Sequence, residues 1–368
     1  MSLYIGLMSG TSADAIDAAL VSFNIDQSIK LEHFLEQVYP EQIKHLVAEL
    51  RSPDAKISLK DIAELNISLG KIFADAACQL MTTAKIDQQE ITAIGSHGQT
   101  ILHAPDGINP FSMQLGDPNV IASKTGITTI ADFRNMDIAA EGQGAPLVPL
   151  FHEALFRNTD KNKIILNLGG IANITLLPAS PDQPVLGFDT GPANALMDDW
   201  ILLNLGKPYD QGGLWGKSGK KIPALLKKML EDDYFDKPAP KSTGRDYFNI
   251  DWLNKKTGAE NYRPEDIQAT LQHLTAQSVA RAIKNVSSGV DEVILCGGGT
   301  HNDHIINLLS DALSGTAITT SADYGMNPDC IEAMAFAWLA KRRLDGLPGN
   351  LPSVTGAKKN VLLGGIYG

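Results

Sequence analysis

The chain opens with a pattern of two strands joined by a small polar loop. Residues 3–8 form an apolar run typical of a buried strand, and residues 16–23 follow the two-residue period of a second strand. The loop, within residues 10–17, offers backbone N–H groups and two hydroxyls, and its small residues allow a close approach to a phosphate. The alternative is an ordinary turn with its own side-chain hydrogen bond. Residues 163–178 predict a second hairpin, with Gly-Gly and Asn at its tip.

The same order of elements follows each hairpin. After the first, the pattern predicts a third strand at 30–39, helices near 41–50 and 60–84, a strand at 92–98, a short helix after Pro118 and a strand at 126–133. After the second, it predicts a strand at 184–189, a helix from Pro192, a long helix at 264–286, a strand at 291–299, a helix and a strand at 316–321. This order indicates a duplicated α/β unit. A Rossmann sheet is disfavoured, because neither hairpin carries a G-x-G-x-x-G turn into a helix.

Two lobes follow from this repetition. We expect an N-terminal lobe at 1–135 and a C-terminal lobe at 136–345, with the tail at about 346–368 as a candidate to pack on the first. The boundary is expected near 132–148, where Gly and Pro lie between two regular regions. Residues 206–262 are rich in Gly, Lys, Pro and Asp, and they predict an insertion that serves as a lid or a dimer surface.

Composition excludes several classes of protein. A chain of 368 residues with 43% hydrophobic and 20% charged residues is typical of globular proteins, and it is long enough for two domains. No apolar run approaches the roughly 18 residues of a membrane span. The net charge of −11 disfavours nucleic acid or an anionic membrane as the main partner. The N-terminus has no signal-peptide pattern and the three cysteines form no C-x-x-C pair, so we expect reduced thiols in the cytoplasm.

Two further loops carry candidate chemistry. Residues 296–302, "CGGGTHN", follow a strand and open a helix, so a nucleotide could lie against the strand end and face helix N–H groups. A tight packing turn is the alternative for these glycines. Asp189 ends a strand just before Pro192 starts a helix, where N–H groups would favour its ionised form and a ligand could reach it. The alternative for Asp189 is a turn or capping carboxylate.

Together these loops resemble a known family. The sequence is similar to the anhydro-N-acetylmuramic acid kinases, of the larger group of sugar kinases, actin and heat-shock chaperone ATPases, over nearly the whole chain. The matching stretches, in order, are "MSGTSADAID", "SHGQTILH", "DFRNMDIA", "GQGAPLVPLFH", "NLGGIANIT", "GFDTGPANALMD", "KSTGRDYFN", "ATLQHLTA", "CGGGTHN" and "NPDCIEAMAFAWLA". The resemblance implies two lobes of duplicated actin-like, ribonuclease H-like topology, with mixed sheets and a central ATP cleft.

The resemblance also implies a site. The first-hairpin loop resembles the family's phosphate-binding loop, and Asp189 its catalytic base. The residues expected to bind ATP are Gly10, Thr11, Ser12, Ala13, Asp14, Ala15, Ile16, Asp17, Asn167, Gly169, Gly170, Gly297, Gly298, Gly299 and Asn302. The chain departs from the family at Ala15 and Glu141, where the family usually has Gly. Ala15 tolerates positive φ less well than Gly, and Glu141 adds a charge near the expected cleft.

The implied substrate, 1,6-anhydro-N-acetylmuramic acid, defines the chemistry. Its O6 is tied to C1, so the C1–O6 bond must break as O6 takes the γ-phosphate and water adds at C1. One carboxylate that activates the water suffices, because the phosphoryl group replaces the general acid on the leaving oxygen. We expect Asp189 to be that base. Arg134 is the candidate for the lactyl carboxylate, with Glu332 for a sugar hydroxyl and His97 as a further substrate residue. The alternatives are a surface ion pair for Arg134, a helix-face charge for Glu332 and, for His97, a buried histidine bonded to the backbone.

Cofactors, partners and rival functions complete the expectations. Phosphoryl transfer predicts Mg²⁺ with ATP, and Asp14 is a candidate to hold it through water, although the sequence leaves the metal-ligating carboxylate open. The resemblance implies a cytoplasmic homodimer acting in peptidoglycan recycling on a small amino sugar. One rival is a nucleotide-binding switch that hydrolyses ATP without sugar. The other is a glycosidase, which would need a carboxylate pair and no nucleotide loops.

Overall fold

The computed structural model describes residues 1–10, 13–26, 28–50, 55–287 and 289–368. Its strands are β1 (Ser2–Ser9), β2 (Ala15–Phe23), β3 (Ile29–Val38), β4 (Ile91–Ala104), β5 (Phe111–Leu115), β6 (Thr129–Ala131), β7 (Lys163–Leu168), β8 (Ile171–Leu177), β9 (Leu186–Pro192), β10 (Glu292–Cys296), β11 (Ala317–Thr320) and β12 (Gly365–Tyr367). Its helices are α1 (Glu41–Leu50), α2 (Leu59–Ala84), α3 (Pro118–Thr125), α4 (Asn135–Ala139), α5 (Pro149–Phe156), α6 (Asn194–Leu205), α7 (Leu214–Ser218), α8 (Pro223–Leu230), α9 (Asp233–Asp236), α10 (Ile250–Thr257), α11 (Pro264–Val286), α12 (Asp303–Ala312), α13 (Ile331–Leu344) and α14 (Pro352–Thr355).

The chain forms two compact units. Unit 1 consists of Met1–Phe151 and Cys330–Gly368, and unit 2 is the continuous stretch His152–Asp329. The first boundary between the units, after Phe151, thus lies a few residues beyond the stretch 132–148 where we expected it. The C-terminal tail joins unit 1, where β12 pairs with β6.

The two units repeat one topology. In unit 1 the sheet order is β12-β6-β4-β1-β2-β3, with β5 beside β4, and in unit 2 it is β11-β10-β7-β8-β9. In each, the first three strands form an antiparallel meander, and the fourth strand lies parallel to the first. Beyond the fourth strand, β6 lies parallel to β4 in unit 1 and β11 lies parallel to β10 in unit 2, while β5 pairs antiparallel with β4. The duplicated α/β fold predicted from the sequence is confirmed.

Each sheet is buried under helices that the hydrophobic pattern predicted. Helix α2 begins with a capping box between Ser58 and Asp61, and its face at Leu65, Leu69 and Phe73 joins the core of unit 1. Such a box satisfies N–H groups that lack partners within the helix. In unit 2 the long helix α11 contributes to the core over most of its length. The meanders and their tips are therefore positioned by well-packed cores.

Helix α13 lies in unit 1, whereas the sequence placed residues 136–345 in the C-terminal lobe. It packs directly on β1 and β4. A Cβ atom on Gly6 would lie 1.8 Å from the Ala333 carbonyl oxygen, and one on Gly95 would lie 2.0 Å from that of Phe336. The strands can therefore accept the helix only because both positions are glycine.

Some predicted elements differ in extent. The strand predicted at 126–133 is limited to β6, and α6 begins two residues after Pro192 because β9 continues through that proline. The insertion at 206–262 contains the short helices α7 to α10, as its composition indicated.

Candidate active site

The tip of the first hairpin is partly described, since Thr11 and Ser12 lie outside the described residues. The Ala13 N–H donates to the Gly10 carbonyl over 3.2 Å, and Ala13 adopts a left-handed φ of 56°. A Cβ on Gly10 would meet nothing within 4 Å. Asp14 is exposed, and its carbonyl accepts the Tyr39 N–H at 2.8 Å. Gly10 and Ala13 are thus joined by a main-chain hydrogen bond, and the space beside Gly10 is open.

A side chain that sequence reasoning missed holds this loop. Gln99 of β4 is fully buried, and its Nε2 donates to the Gly10 carbonyl at 3.2 Å. The Ser9 hydroxyl lies 2.8 Å from both the Gln99 Oε1 and the Ala15 carbonyl, so it can donate to either. Gln99 therefore fixes the carbonyl that begins the turn. A buried amide in the quoted stretch "SHGQT" was the available signal, because such a group needs partners.

The end of the predicted ATP loop is part of the sheet. Ala15 begins β2 without a positive φ, so the strain expected there from its Cβ does not arise. Ile16 has no exposed surface and belongs to the hydrophobic core, which removes its side chain from the candidates for contact with a nucleotide. Asp17 is partly buried opposite Met8 of β1.

Asp189 lies in β9 and is held by the insertion. The Thr243 N–H donates to its Oδ2 at 3.0 Å, the Tyr234 hydroxyl donates to its carbonyl at 2.7 Å, and its own N–H donates to the Lys241 carbonyl at 3.0 Å. Among the described residues, no donor lies within hydrogen-bond distance of Oδ1. One carboxylate oxygen is therefore positioned by the protein, and the other is available to a ligand.

The electrostatic environment of Asp189 differs from the expectation. Burial raises the pKa of its carboxyl to about 7, and the Thr243 N–H opposes this shift only in part. We expected helix N–H groups to favour the ionised form. However, the N–H groups of Ala193, Asn194 and Ala195 at the start of α6 already donate to the carbonyls of Gly169 and Gly170. Desolvation therefore dominates.

The tip of the second hairpin supplies acceptors for the N–H groups at the start of α6. Its Gly169 and Gly170 carbonyls accept those α6 N–H groups, and the Asn194 side chain donates to the Leu168 carbonyl at 2.9 Å. Asn167, near the end of β7, pairs with Asn173 of β8. The carbonyl groups of the tip thus have structural partners, which leaves its N–H groups as the candidates for ATP contact.

The three glycines of the turn at 296–302 differ in how closely they are packed. A Cβ on Gly297 would lie 2.2 Å from the Asn167 Oδ1, and one on Gly299 would lie 2.5 Å from the Leu168 Cβ. A Cβ on Gly298 would meet nothing within 4 Å. Two glycines are therefore required by packing, whereas the third faces open space. Asn302 accepts the Ile305 N–H and caps α12, so its side-chain oxygen has a structural role.

Arg134 and His97 form one unit of the candidate sugar site. The Arg134 Nε and Nη2 lie 3.0 and 2.8 Å from the His97 Nε2, and Nη1 donates to the Gly144 carbonyl at 2.8 Å. His97 Nδ1 lies 2.9 Å from the Gly98 carbonyl, so Nδ1 carries the proton and Nε2 accepts. His97 thus orients Arg134, and its direct contact with substrate stays a prediction.

The charges of this pair are well defined. Burial and the Arg134 charge hold the pKa of His97 well below its usual value, so the imidazole is neutral. Burial also lowers the pKa of Arg134 to about 10, although Glu332 and Asp137 oppose the shift. Arg134 remains a cation at neutral pH. The described residues supply acceptors for three of its five N–H groups, which leaves one on each terminal nitrogen for a carboxylate.

Glu332 and Glu141 differ in their relation to this site. Glu332 lies in the first turn of α13, partly buried and close enough to influence Arg134 electrostatically. Glu141 is exposed, adopts a left-handed φ of 65° and pairs with Lys358 at 2.6 Å. Of the two positions where the chain departs from the family, Ala15 and Glu141, Glu141 is therefore the one whose backbone conformation favours glycine.

The described residues contain no cluster of side chains suited to bind a metal ion without further ligands. Within residues 1–10, 13–26, 28–50, 55–287 and 289–368, no group of three His, Cys, Asp or Glu side chains could hold a metal ion. Over the same residues, no helix is both long and apolar enough to cross a membrane.

Similarity to known proteins extends over the whole chain. The model of the family "Anhydro-N-acetylmuramic acid kinase" matches residues 2–368. The chain belongs to this family. Members include the anhydro-N-acetylmuramic acid kinase of Coxiella burnetii (strain RSA 493 / Nine Mile phase I), 50% identical over 364 residues that make up 99% of this chain and 97% of the relative. That of Pasteurella multocida (strain Pm70) is 47% identical over 366 residues, 99% of this chain and 96% of the relative.

The family assignment confirms the predicted enzyme class, a phosphotransferase, and the predicted family itself. Among solved structures, component A of the Acidaminococcus fermentans (R)-2-hydroxyglutaryl-CoA dehydratase is similar with a TM-score of 0.49 and 11% identity, over 92% of this chain and 96% of that one. A likeness this distant adds nothing to the assignment.

Proposed function

We propose that this protein is an ATP-dependent kinase of 1,6-anhydro-N-acetylmuramic acid. The reaction cleaves the anhydro ring with water and phosphorylates O6, which gives N-acetylmuramic acid 6-phosphate and ADP. Membership of the kinase family supports the substrate and the phosphoryl transfer. The structural observation that carries the proposal is Asp189, with its raised pKa and its uncommitted oxygen.

Asp189 would act as the general base. A base works best with a pKa near the working pH, and its pKa of about 7 meets that condition, whereas an ordinary aspartate is a weaker base. Its Oδ1 would take a proton from the water that attacks C1, while Oδ2 remains bonded to the Thr243 N–H. As the water oxygen bonds to C1, the C1–O6 bond breaks and O6 bonds to the γ-phosphorus, whose bond to the oxygen that bridges the β- and γ-phosphates breaks to release ADP. One carboxylate is thus sufficient.

Arg134 would recognise the lactyl carboxylate of the sugar. Its two remaining N–H groups, one on each terminal nitrogen, match the two oxygens of a carboxylate. His97 supports this role because it accepts from Arg134 while staying neutral, so it does not compete with the substrate's negative charge. Glu332 is the candidate to accept from a sugar hydroxyl.

The residues at the hairpin tips and the glycine turn fit the phosphates of ATP. Gly10 and Gly298 leave room that a Cβ would fill, and their turns present backbone N–H groups. ATP supplies the phosphoryl group, and Mg²⁺ would neutralise the charge on its phosphates. Because Mg²⁺ commonly uses one or two carboxylates with phosphate and water, the exposed Asp14 is the side chain we propose to hold it.

The test is ADP release measured with and without the anhydro sugar, followed by the reaction in ¹⁸O-labelled water. We expect release only with the sugar, and label at C1 but none in the phosphate when the product is analysed before its anomeric oxygen exchanges. ADP release without sugar would identify an ATPase switch. Ring opening without ATP would identify a glycosidase, and label in the phosphate would show that water attacks phosphorus.

The cellular setting belongs to the same proposal. The sugar is a fragment of peptidoglycan, so the enzyme would act in cell-wall recycling. The resemblance to the family also supports a cytoplasmic location and a homodimer. Sedimentation of the purified protein tests the oligomeric state.

A further inference from the structure

A segment of the C-terminus lies against the turn that follows Arg134. The Gln143 N–H donates to the Thr355 carbonyl at 2.8 Å, and the Lys358 N–H donates to the Ala140 carbonyl at 2.9 Å. We call residues 350–358 the C-terminal segment and residues 140–144 the Arg134 turn. Both belong to unit 1. The two are therefore joined by main-chain hydrogen bonds, although more than 200 positions separate them in the sequence.

Asp137 is the centre of this junction. Its side chain has no exposed surface. Its Oδ1 accepts from the Asn350 Nδ2 and the Thr355 hydroxyl, each at 2.8 Å, and its Oδ2 accepts the Gly144 N–H at 2.8 Å. A Cβ on Gly142 would lie 2.3 Å from the same Oδ2. A buried carboxylate with three donors fixes the groups that donate to it, because each donor lost would leave charge unpaired.

Gly144 links this carboxylate to Arg134. Its N–H donates to Asp137, and its carbonyl accepts from the Arg134 Nη1 at 2.8 Å. Gly144 has a φ of 67°, and a Cβ there would lie 2.8 Å from Ile138. Asp137 therefore fixes the orientation of Gly144 through its N–H, and the carbonyl of Gly144 in turn positions the Arg134 guanidinium.

We propose that Asp137 is a positioning residue for sugar recognition, and that it acts with the C-terminal segment by fixing Gly144 and thereby Arg134. This inference rests on the proposed contact between Arg134 and the lactyl carboxylate. If the Gly144 carbonyl turns away, His97 is the acceptor that the described residues still offer Arg134, and the guanidinium can rotate about it. The loss then concerns the lactyl group specifically. Gln99 and Ser9 hold the ATP loop through hydrogen bonds in which neither Asp137 nor Gly144 takes part, so we expect the loop to keep its position.

The test compares two sugars and ATP. 1,6-Anhydro-N-acetylglucosamine lacks the lactyl group, so it reports on binding that does not use Arg134. Asp137→Asn keeps the shape but puts an amide N–H₂ opposite a donor. We expect it to weaken binding of the muramyl sugar by about 10- to 100-fold, with the affinities for the second sugar and for a non-hydrolysable ATP analogue within about twofold. Isothermal titration calorimetry measures all three.

Milder variants and a control distinguish a loss of Arg134 positioning from a general loss of folding. Thr355→Val removes one donor with little change of shape, and we expect a smaller loss, of about threefold to tenfold, whereas Thr355→Ser restores the hydroxyl and the affinity. Asp117→Asn is the matched control, because Asp117 accepts the Asn119 and Val120 N–H groups in unit 1 without contacting Arg134. It should lower the melting temperature without changing the ratio of the two sugar affinities.

The outcomes separate this inference from the proposed function. If Arg134→Ala leaves the ratio of the affinities for the two sugars unchanged, the proposed contact between Arg134 and the lactyl carboxylate is wrong. If Arg134→Ala changes the ratio but Asp137→Asn and Thr355→Val weaken both sugars and the ATP analogue equally, Asp137 is only structural and the inference is overturned. Where it is correct, adding Asp137→Asn to Arg134→Ala changes the ratio no further.

Discussion

The third strands of the two units occupy the same place in the same topology, yet only one carries a candidate base. Strand β3 is the edge of its sheet, and its residues are exposed or partly buried. Strand β9 is the corresponding edge, but it is mostly buried. The difference comes from the insertion, which brings Tyr234, Lys241 and Thr243 against Asp189. A duplicated scaffold thus gains a candidate chemical site where the insertion excludes water from one strand.

The largest effect should follow from changing Asp189. Asp189→Asn keeps the shape and can accept the Thr243 N–H, but it cannot take a proton from water. The rate should fall by about 10² to 10⁴, the contribution usual for a general base. Asp199→Asn is the matched control, because burial raises the pKa of that α6 carboxyl as well, and Arg245 lies beside it. Near-normal turnover by Asp189→Asn would return Asp189 to a turn carboxylate.

The pH dependence tests the cause of the difference between the strands. The base must be ionised, so kcat/KM should rise with pH and level off above about 7, in contrast to an aspartate with an ordinary pKa. The native state favours the protonated form, so its contribution to stability is present at low pH and is lost as the pH rises through about 7. Chemical denaturation at pH 5 and 8 should show this loss in the wild type and its absence in Asp189→Asn. A profile that levels off near pH 5 would contradict the raised pKa.

The two hairpin tips allow a finer comparison, since a side-chain amide holds each one. Gln99→Glu and Asn194→Asp both remove a donor to a hairpin carbonyl, that of Gly10 and that of Leu168. We expect the first to raise the KM for ATP about tenfold, the cost of one buried hydrogen bond. The second should have a smaller effect, because three α6 N–H groups also hold its tip. Equal effects in initial-rate measurements would contradict this difference.

The smallest effect is expected at Glu141. Its left-handed φ favours glycine, and its ion pair with Lys358 is exposed and weak. Glu141→Gly should therefore change the free energy of unfolding by no more than about 1 kcal/mol, in the stabilising direction. Lys358→Ala is the control that removes the ion pair alone. A loss of stability in Glu141→Gly greater than in Lys358→Ala would show that the turn does not strain Glu141.

Sequence patterns predicted the parts of the fold that depend on local periodicity. The hairpins, the long helices α2 and α11 and the duplicated order all follow from spacing of two or about 3.6 residues. The position of α13 does not, because it depends on Gly6 and Gly95, residues that signal close approach without naming the partner. The raised pKa of Asp189 was missed for a similar reason: Thr243 and Tyr234 reach it from the insertion. Contacts between distant segments have no periodic signature.

The order of the two units along the chain has a consequence for synthesis. Unit 2 is one continuous stretch, whereas unit 1 needs α13 and β12 from the end of the chain. Since α13 packs on the backbone of β1 and β4 at Gly6 and Gly95, that surface has no helix until α13, which follows unit 2 in the sequence, has been synthesised. Domains generally fold as units during synthesis. We therefore expect unit 2 to be complete first, while the strands that begin the chain wait for their covering helix.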